Sequence, residues 1–89
     1  MYATSADWSF ATLPSTFSEK NSEFTDELKA MGALNFFWVR TSPTSGRSIT
    51  IWPDQATAHA NLARIREGAS ADTGLNIAGV CEGNVVGSM

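Results

Sequence analysis

Polar and apolar residues alternate in some stretches of the chain and recur every three to four residues in others, and the switches between these periods mark its elements. The clearest switch lies in RSITIWPDQATAHANLARIREG, residues 47–68. Ser48, Thr50 and Trp52 alternate with Arg47, Ile49 and Ile51 at the period of a half-buried strand, and the two isoleucines are the better suited to lie under helices. Pro53 removes a backbone donor and stops the strand, and the Asp54 carboxylate can accept from the free N–H groups of a first helical turn. From Asp54 the period becomes 3.6, with Ala58, Leu62 and Ile65 on one stripe and Gly68 as a left-handed stop.

The same reading places a strand over residues 2–13, with Tyr2, Ala6, Trp8 and Phe10 on one face and Ala3, Ser5, Asp7 and Ser9 on the other. Pro14 ends it, Ser15 and Thr16 offer helix caps, and Glu19 follows Thr16 as in a capping box. A helix follows with the stripe Phe17, Phe24, Leu28 and Met31, an outward face of Glu19, Lys20, Glu23, Asp26 and Lys29, and Gly32 at its end. Residues 33–41, ALNFFWVRT, form a strand that is apolar on both faces, Leu34, Phe36 and Trp38 on one and Phe37 and Val39 on the other, so both faces want cover. The turn-rich residues 42–46 join it to the third strand as a hairpin. Residues 69–75 fit a loop or frayed helix, and the last strand runs over about 76–86, loosened by Gly79, Gly83 and Gly87.

The order βαββαβ, with right-handed crossovers, predicts an α+β ferredoxin-like domain over residues 1–89. It is a four-stranded antiparallel sheet with both helices on one face and strands in the order 4-1-3-2. The doubly apolar second strand then lies at an edge, beside a bare sheet face, and such an edge invites pairing. A homodimer through the bare face and the 33–41 edge strand, with GNVVGSM at the rim, answers both problems. A hydrophobic pocket between sheet and helices, or between the two sheets, would follow.

Composition narrows the partners. A chain of 89 residues buries only about 60–65 per cent of its unfolded surface, which favours association. Nine acidic against six scattered basic residues leave a net charge of −3, which removes the electrostatic drive for nucleic acid. No apolar run approaches the ~20 residues of a membrane span, and the start, MYATSADWSF, lacks the basic and apolar regions of a secretory signal. The single cysteine, Cys81, offers no disulfide framework and no CxxC motif, so a cytoplasmic location is expected.

The βαββαβ order, a strand ending in Trp52, a cap one or two residues on and the Ala-rich helix of WPDQATAHANLARIRE resemble the dimeric α/β-barrel superfamily, and within it the antibiotic-biosynthesis-monooxygenase-like proteins. The resemblance implies a dimer with a pocket on the sheet and, in some relatives, cofactor-free oxygenation of aromatic substrates or oxidative haem breakdown. The haem-degrading relatives carry an Asn on the first strand, a Trp near the third and a His on the following helix. Trp52 and His59 could stand in for the last two; the first strand here has no Asn, and His59 lies nearer the aromatic than in those relatives. No cofactor is therefore expected, haem being the one that the resemblance would bring.

Among single residues, His59 is the only histidine and the only side chain whose ordinary pKa lies near neutrality. With no carboxylate or thiolate three or four residues from it, a metal site is not expected. Asp7, on the polar face of the first strand, is the candidate base, its pKa raised if it is desolvated beside the tryptophans. Trp8, Trp38 and Trp52 suit an aromatic pocket or a dimer interface, with Trp52 the foremost pocket wall. Arg40 and Arg47 flank the hairpin and could clamp a carboxylate, and Asn35 is a further pocket candidate. Cys81 fits a small buried hydrophobe. Three readings stay open: a small-molecule-binding module, a monooxygenase-like enzyme using Asp7 or His59, and a purely structural dimer.

Overall fold

The structure is a computed structural model that describes residues 1–12, 17–73 and 75–88, with the backbone alone considered over 67–73. The elements are β1 (Tyr2–Ser9), α1 (Phe17–Ala30), β2 (Asn35–Ser42), β3 (Ser45–Trp52), α2 (Gln55–Thr73) and β4 (Asn76–Asn84). The strands form one antiparallel sheet in the order β2-β3-β1-β4. This is the expected ferredoxin-like α+β topology, with β2 at one edge and β4 at the other. The Pro14 stop and the Ser15 and Thr16 caps lie outside the described residues.

β1 places Tyr2, Thr4, Ala6 and Trp8 under the helices, as its alternation requires, and Phe10 follows them into the core after the strand has ended. The strand is shorter than expected because the Phe10 N–H leaves the ladder and donates to the Thr44 carbonyl at 3.0 Å. The hairpin is tighter than expected. Only Pro43 and Thr44 form the turn, and the Ser42 hydroxyl holds it by meeting the Ser45 hydroxyl at 2.6 Å and accepting from the Thr44 N–H at 3.1 Å. Gly46 stands where only glycine fits, since a Cβ there would lie 2.5 Å from the Trp38 ring.

α1 ends in a Schellman arrangement. Gly32 takes a φ of 99°, its N–H donates to Lys29 O at 3.1 Å, and the Ala33 N–H donates to Leu28 O at 3.0 Å. The Asp54 carboxylate caps α2 by accepting from the Thr57 N–H at 2.8 Å, which holds its pKa below the ordinary carboxylate value. α2 does not stop at Gly68 and runs on to Thr73. A glycine inside a helix costs about 1 kcal/mol, and the neighbouring Ala69 and Ala71 are strong helix formers that carry the element past it.

The faces of β3 are the reverse of the expectation. Ser48, Thr50 and Trp52 lie under the helices, with Thr50 buried and Trp52 fully so, whereas Ile49 and Ile51 lie on the open face. Register decides this: Trp52 pairs with Tyr2, Thr50 with Thr4 and Ser48 with Ala6, so β3 must share the buried face of β1. On β2, Phe36 and Trp38 are half-buried on the helix side, and Phe37 and Val39 are exposed on the open face. Within the single chain the second strand is thus covered once, and Leu34 is exposed rather than packed with Phe36.

The core is divided. One cluster joins Tyr2, Leu28, Trp52 and Ala58, flanked by Phe24, Met31, Phe36 and Ile65. The other joins Ala6, Trp8, Phe10 and Leu75, flanked by Phe17 and Trp38.

Candidate functional site

Between the two clusters lies a cavity of about 90 Å³, roofed by both helices and floored by the sheet. That is room for several waters at ~15 Å³ each. Its origin can be traced along α1. Phe24 packs edge-on to Phe36 at 5.6 Å and Phe17 tilts against Trp38 at 5.2 Å, two aromatic pillars between helix and sheet. Between them, where the helical stripe calls for another large apolar residue, the chain has Lys20 and Asn21, and both line the cavity. Seven residues on a helix advance about 10 Å and two on a strand about 7 Å, so the pillars splay and leave the gap.

All three tryptophans line this cleft, together with Ala6, Thr50, Leu62 and Leu75. Their polar ends are treated differently. The Trp52 Nε1–H donates to Thr4 Oγ1 at 3.0 Å and the Trp8 Nε1–H to Ser48 Oγ at 2.9 Å. Trp38 Nε1 is buried and has no partner, the one buried polar side-chain atom so placed among the described residues. At the mouth stand Lys20, Glu23, Glu27 and Arg66.

Asp7 lies elsewhere. It is on the open face of the sheet, where Arg47 grips it bidentately, Nε to Oδ1 at 2.8 Å and Nη2 to Oδ2 at 3.1 Å. The bond from Arg47 holds the Asp7 carboxyl below its ordinary value, so the raised pKa of a desolvated base is not found. Arg47 therefore clamps a carboxylate of its own chain. Arg40 donates to the backbone oxygens of Ser42 and Pro43 at 3.3 and 2.9 Å and lies 5.8 Å over the Phe10 ring, fastening the hairpin. Asn35 is exposed and pairs with Ile51 on the open face; its Oδ1 accepts from the Phe36 N–H at 2.9 Å. Cys81 is exposed rather than buried.

His59 is also outside the cleft lining. Its Nε2 meets Glu82 Oε1 at 2.6 Å, and the same oxygen accepts from the Tyr2 hydroxyl at 2.8 Å. The Tyr2 and His59 rings are perpendicular, 5.8 Å apart. This clasp ties α2, β1 and β4 together. The bonds from His59 and Tyr2 hold Glu82 below the ordinary carboxylate value, and the Glu82 carboxylate raises the Tyr2 phenol above 10.0. Glu82 carries no signal of its own in the sequence; it is found only once β4 is paired with β1, opposite Thr4.

The residues do not fit haem. His59 is engaged with Glu82 and does not line the cleft, β1 presents Thr4, Ala6 and Trp8 where the haem-degrading pattern has Asn, and the cavity is far too small for a macrocycle. No group of three or more His, Cys, Asp or Glu among the described residues could hold a metal ion.

The ferredoxin-like α+β fold of this chain is shared with solved structures. A candidate antibiotic biosynthesis monooxygenase from Deinococcus radiodurans matches the fold with a TM-score of 0.63 over 100% of this chain and 96% of that one, at 9% identity. A protein of unknown function from Nitrosomonas europaea matches with a TM-score of 0.57 over 99% and 91%, at 12% identity. No family model matches the sequence, and neither does any curated protein. At such identities the likeness is one of fold. No helix among the described residues is long and apolar enough to cross a membrane.

Proposed function

We propose that the protein is a small-molecule-binding module whose cleft between α1, α2 and the sheet takes a ring-sized apolar ligand. The observation that carries this reading is the divided core: Lys20 and Asn21 replace the apolar residue that would close the gap between the Phe17–Trp38 and Phe24–Phe36 pillars. A chain of this size has few apolar contacts to spare, so a gap walled by three indoles is a costly feature unless something fills it. The working form is a homodimer: Phe37, Val39, Ile49 and Ile51 make the open sheet face apolar, and the edge strand β2 lies beside it. The exposed free thiol of Cys81 suits the reducing cytoplasm.

A monooxygenase-like activity is the second reading, suggested by the description of the Deinococcus neighbour. It would have to run without Asp7 or His59 as cleft residues. The test is a titration of the ¹⁵N-labelled protein with toluene, followed on the three indole N–H signals, with light scattering on the same sample. Saturable shifts of the Trp8, Trp38 and Trp52 signals on a particle of dimer mass are expected. A dimer whose indoles do not respond would leave the purely structural reading, and oxygen consumption upon ligand addition would move the assignment to the enzyme.

A further inference from the structure

The floor of the cleft is short of acceptors. Thr4 Oγ1 receives the Trp52 N–H and Ser48 Oγ receives the Trp8 N–H, so each hydroxyl uses a lone pair and still holds its own proton. No acceptor for either proton, or for that of Thr50, is found among the described residues. Thr50 lines the cleft, and its oxygen is not among the sealed, unpaired atoms, so it is open to the cavity. Thr4 and Thr50 face each other across the β1–β3 ladder and Ser48 lies two residues along the same face, so the three hydroxyls form one patch. The unpaired Trp38 N–H belongs to the residue opposite Ser48 on β2. The sheet brings no charged side chain to the cleft; its charged lining comes from the helices, two cations, Lys20 and Arg66, against two carboxylates, Glu23 and Glu27.

We propose that the Thr4, Ser48 and Thr50 hydroxyls form a recognition patch for a neutral carbonyl oxygen, so that the cleft selects ring-sized carbonyl compounds over hydrocarbons of the same shape and over carboxylates. The inference rests on the binding reading above and adds the ligand's polar group to it. A hydrocarbon covers the floor and leaves its donors unpaired, which costs the desolvation of each. A carboxylate supplies acceptors but must shed its hydration on a floor with no cation, in a cleft where Glu23 and Glu27 offset Lys20 and Arg66 and leave no net positive charge to replace it. A carbonyl oxygen offers two lone pairs to a patch of donors and carries no charge into the cleft.

The experiment titrates the ¹⁵N-labelled protein with benzaldehyde, toluene and benzoate, reading dissociation constants from the indole signals. Benzaldehyde is expected to bind about tenfold more tightly than toluene, the worth of one good hydrogen bond, with benzoate the weakest. Thr50→Val, which keeps the shape and removes the hydroxyl, should weaken benzaldehyde and, by removing a donor that toluene leaves unpaired, tighten toluene, so that the preference disappears, and Thr50→Ser should restore it. Equal binding of toluene and benzaldehyde, a preference unchanged in Thr50→Val, or tighter binding of benzoate overturns the inference while leaving the cleft as a binding site. Binding of none of the three overturns the binding reading and the inference with it.

Discussion

Trp52 and Trp38 stand on neighbouring strands, face the same helices and wall the same cleft, yet their surroundings are opposite. Trp52 has no exposed surface, its N–H is held by Thr4, and Leu28 and Ala58 close over it in the tighter core cluster. Trp38 lies on the edge strand, half-buried, flat over Gly46 and tilted against Phe17, with its N–H unpaired. The difference divides labour within one small core. The Trp52 end is packed and polar-satisfied and holds the fold; the Trp38 end leaves its N–H unpaired and borders the cavity.

The comparison breaks most visibly at Trp52. Trp52→Ala should cost about 3–5 kcal/mol of stability, enough to unfold much of a population with so little core, as chemical denaturation monitored by far-UV circular dichroism would show. A loss below about 1 kcal/mol would mean that the two ends are packed alike.

Acid tests the same end by another route, because Tyr2 belongs to the Trp52 cluster and its hydroxyl is bound to Glu82. Glu82 is held below its ordinary value by His59 and Tyr2, so the folded state binds its proton less readily than the unfolded chain does. Its contribution is therefore present above about pH 4.3, the ordinary value for Glu, and is lost as pH falls through the lowered one. Asp7 and Asp54 act in the same direction. Thermal melts from pH 6 down to 3 should show a fall in Tm concentrated below about pH 4.3, shallower in Glu82→Gln. A Tm that falls equally in both proteins would remove the clasp from the account.

The smallest change is expected at the loose end. Trp38→Phe removes an unpaired buried N–H together with part of a half-buried ring, two effects of opposite sign, so stability should stay within about 0.5 kcal/mol of the parent. A large loss would show that Trp38 is as firmly built in as Trp52.

The topology was legible in the sequence because its cues are local. Alternation in β1 identified the buried face, Pro53 and Asp54 marked the strand end and helix cap, and Gly32 marked the end of α1. The orientation of β3 was not legible. Ile49 and Ile51 are more apolar than Ser48 and Thr50, but the face they take is set by pairing with β1, where Tyr2 and Trp52 must stand together. Glu82 was hidden for the same reason, since its partners Tyr2 and His59 are distant in the chain. The cleft did leave a mark, the polar pair Lys20 and Asn21 inside the apolar stripe of α1, which reads equally as the polar side of a helix until Phe17 and Phe24 are seen to bracket it.

The placing of β1 also bears on how the chain reaches this structure. The first strand lies inside the sheet, and one of its two neighbours is β4, the last. A chain emerging from a ribosome can close the β2–β3 hairpin early, but β1 waits for β4 with one side of its backbone open. Such long-range closure makes folding slower than local pairing does. The Val85 N–H donates to the Met1 carbonyl at 3.0 Å, so the start of β1 and the end of β4 already meet. A short covalent link there would turn the most distant pairing of the fold into a local hairpin.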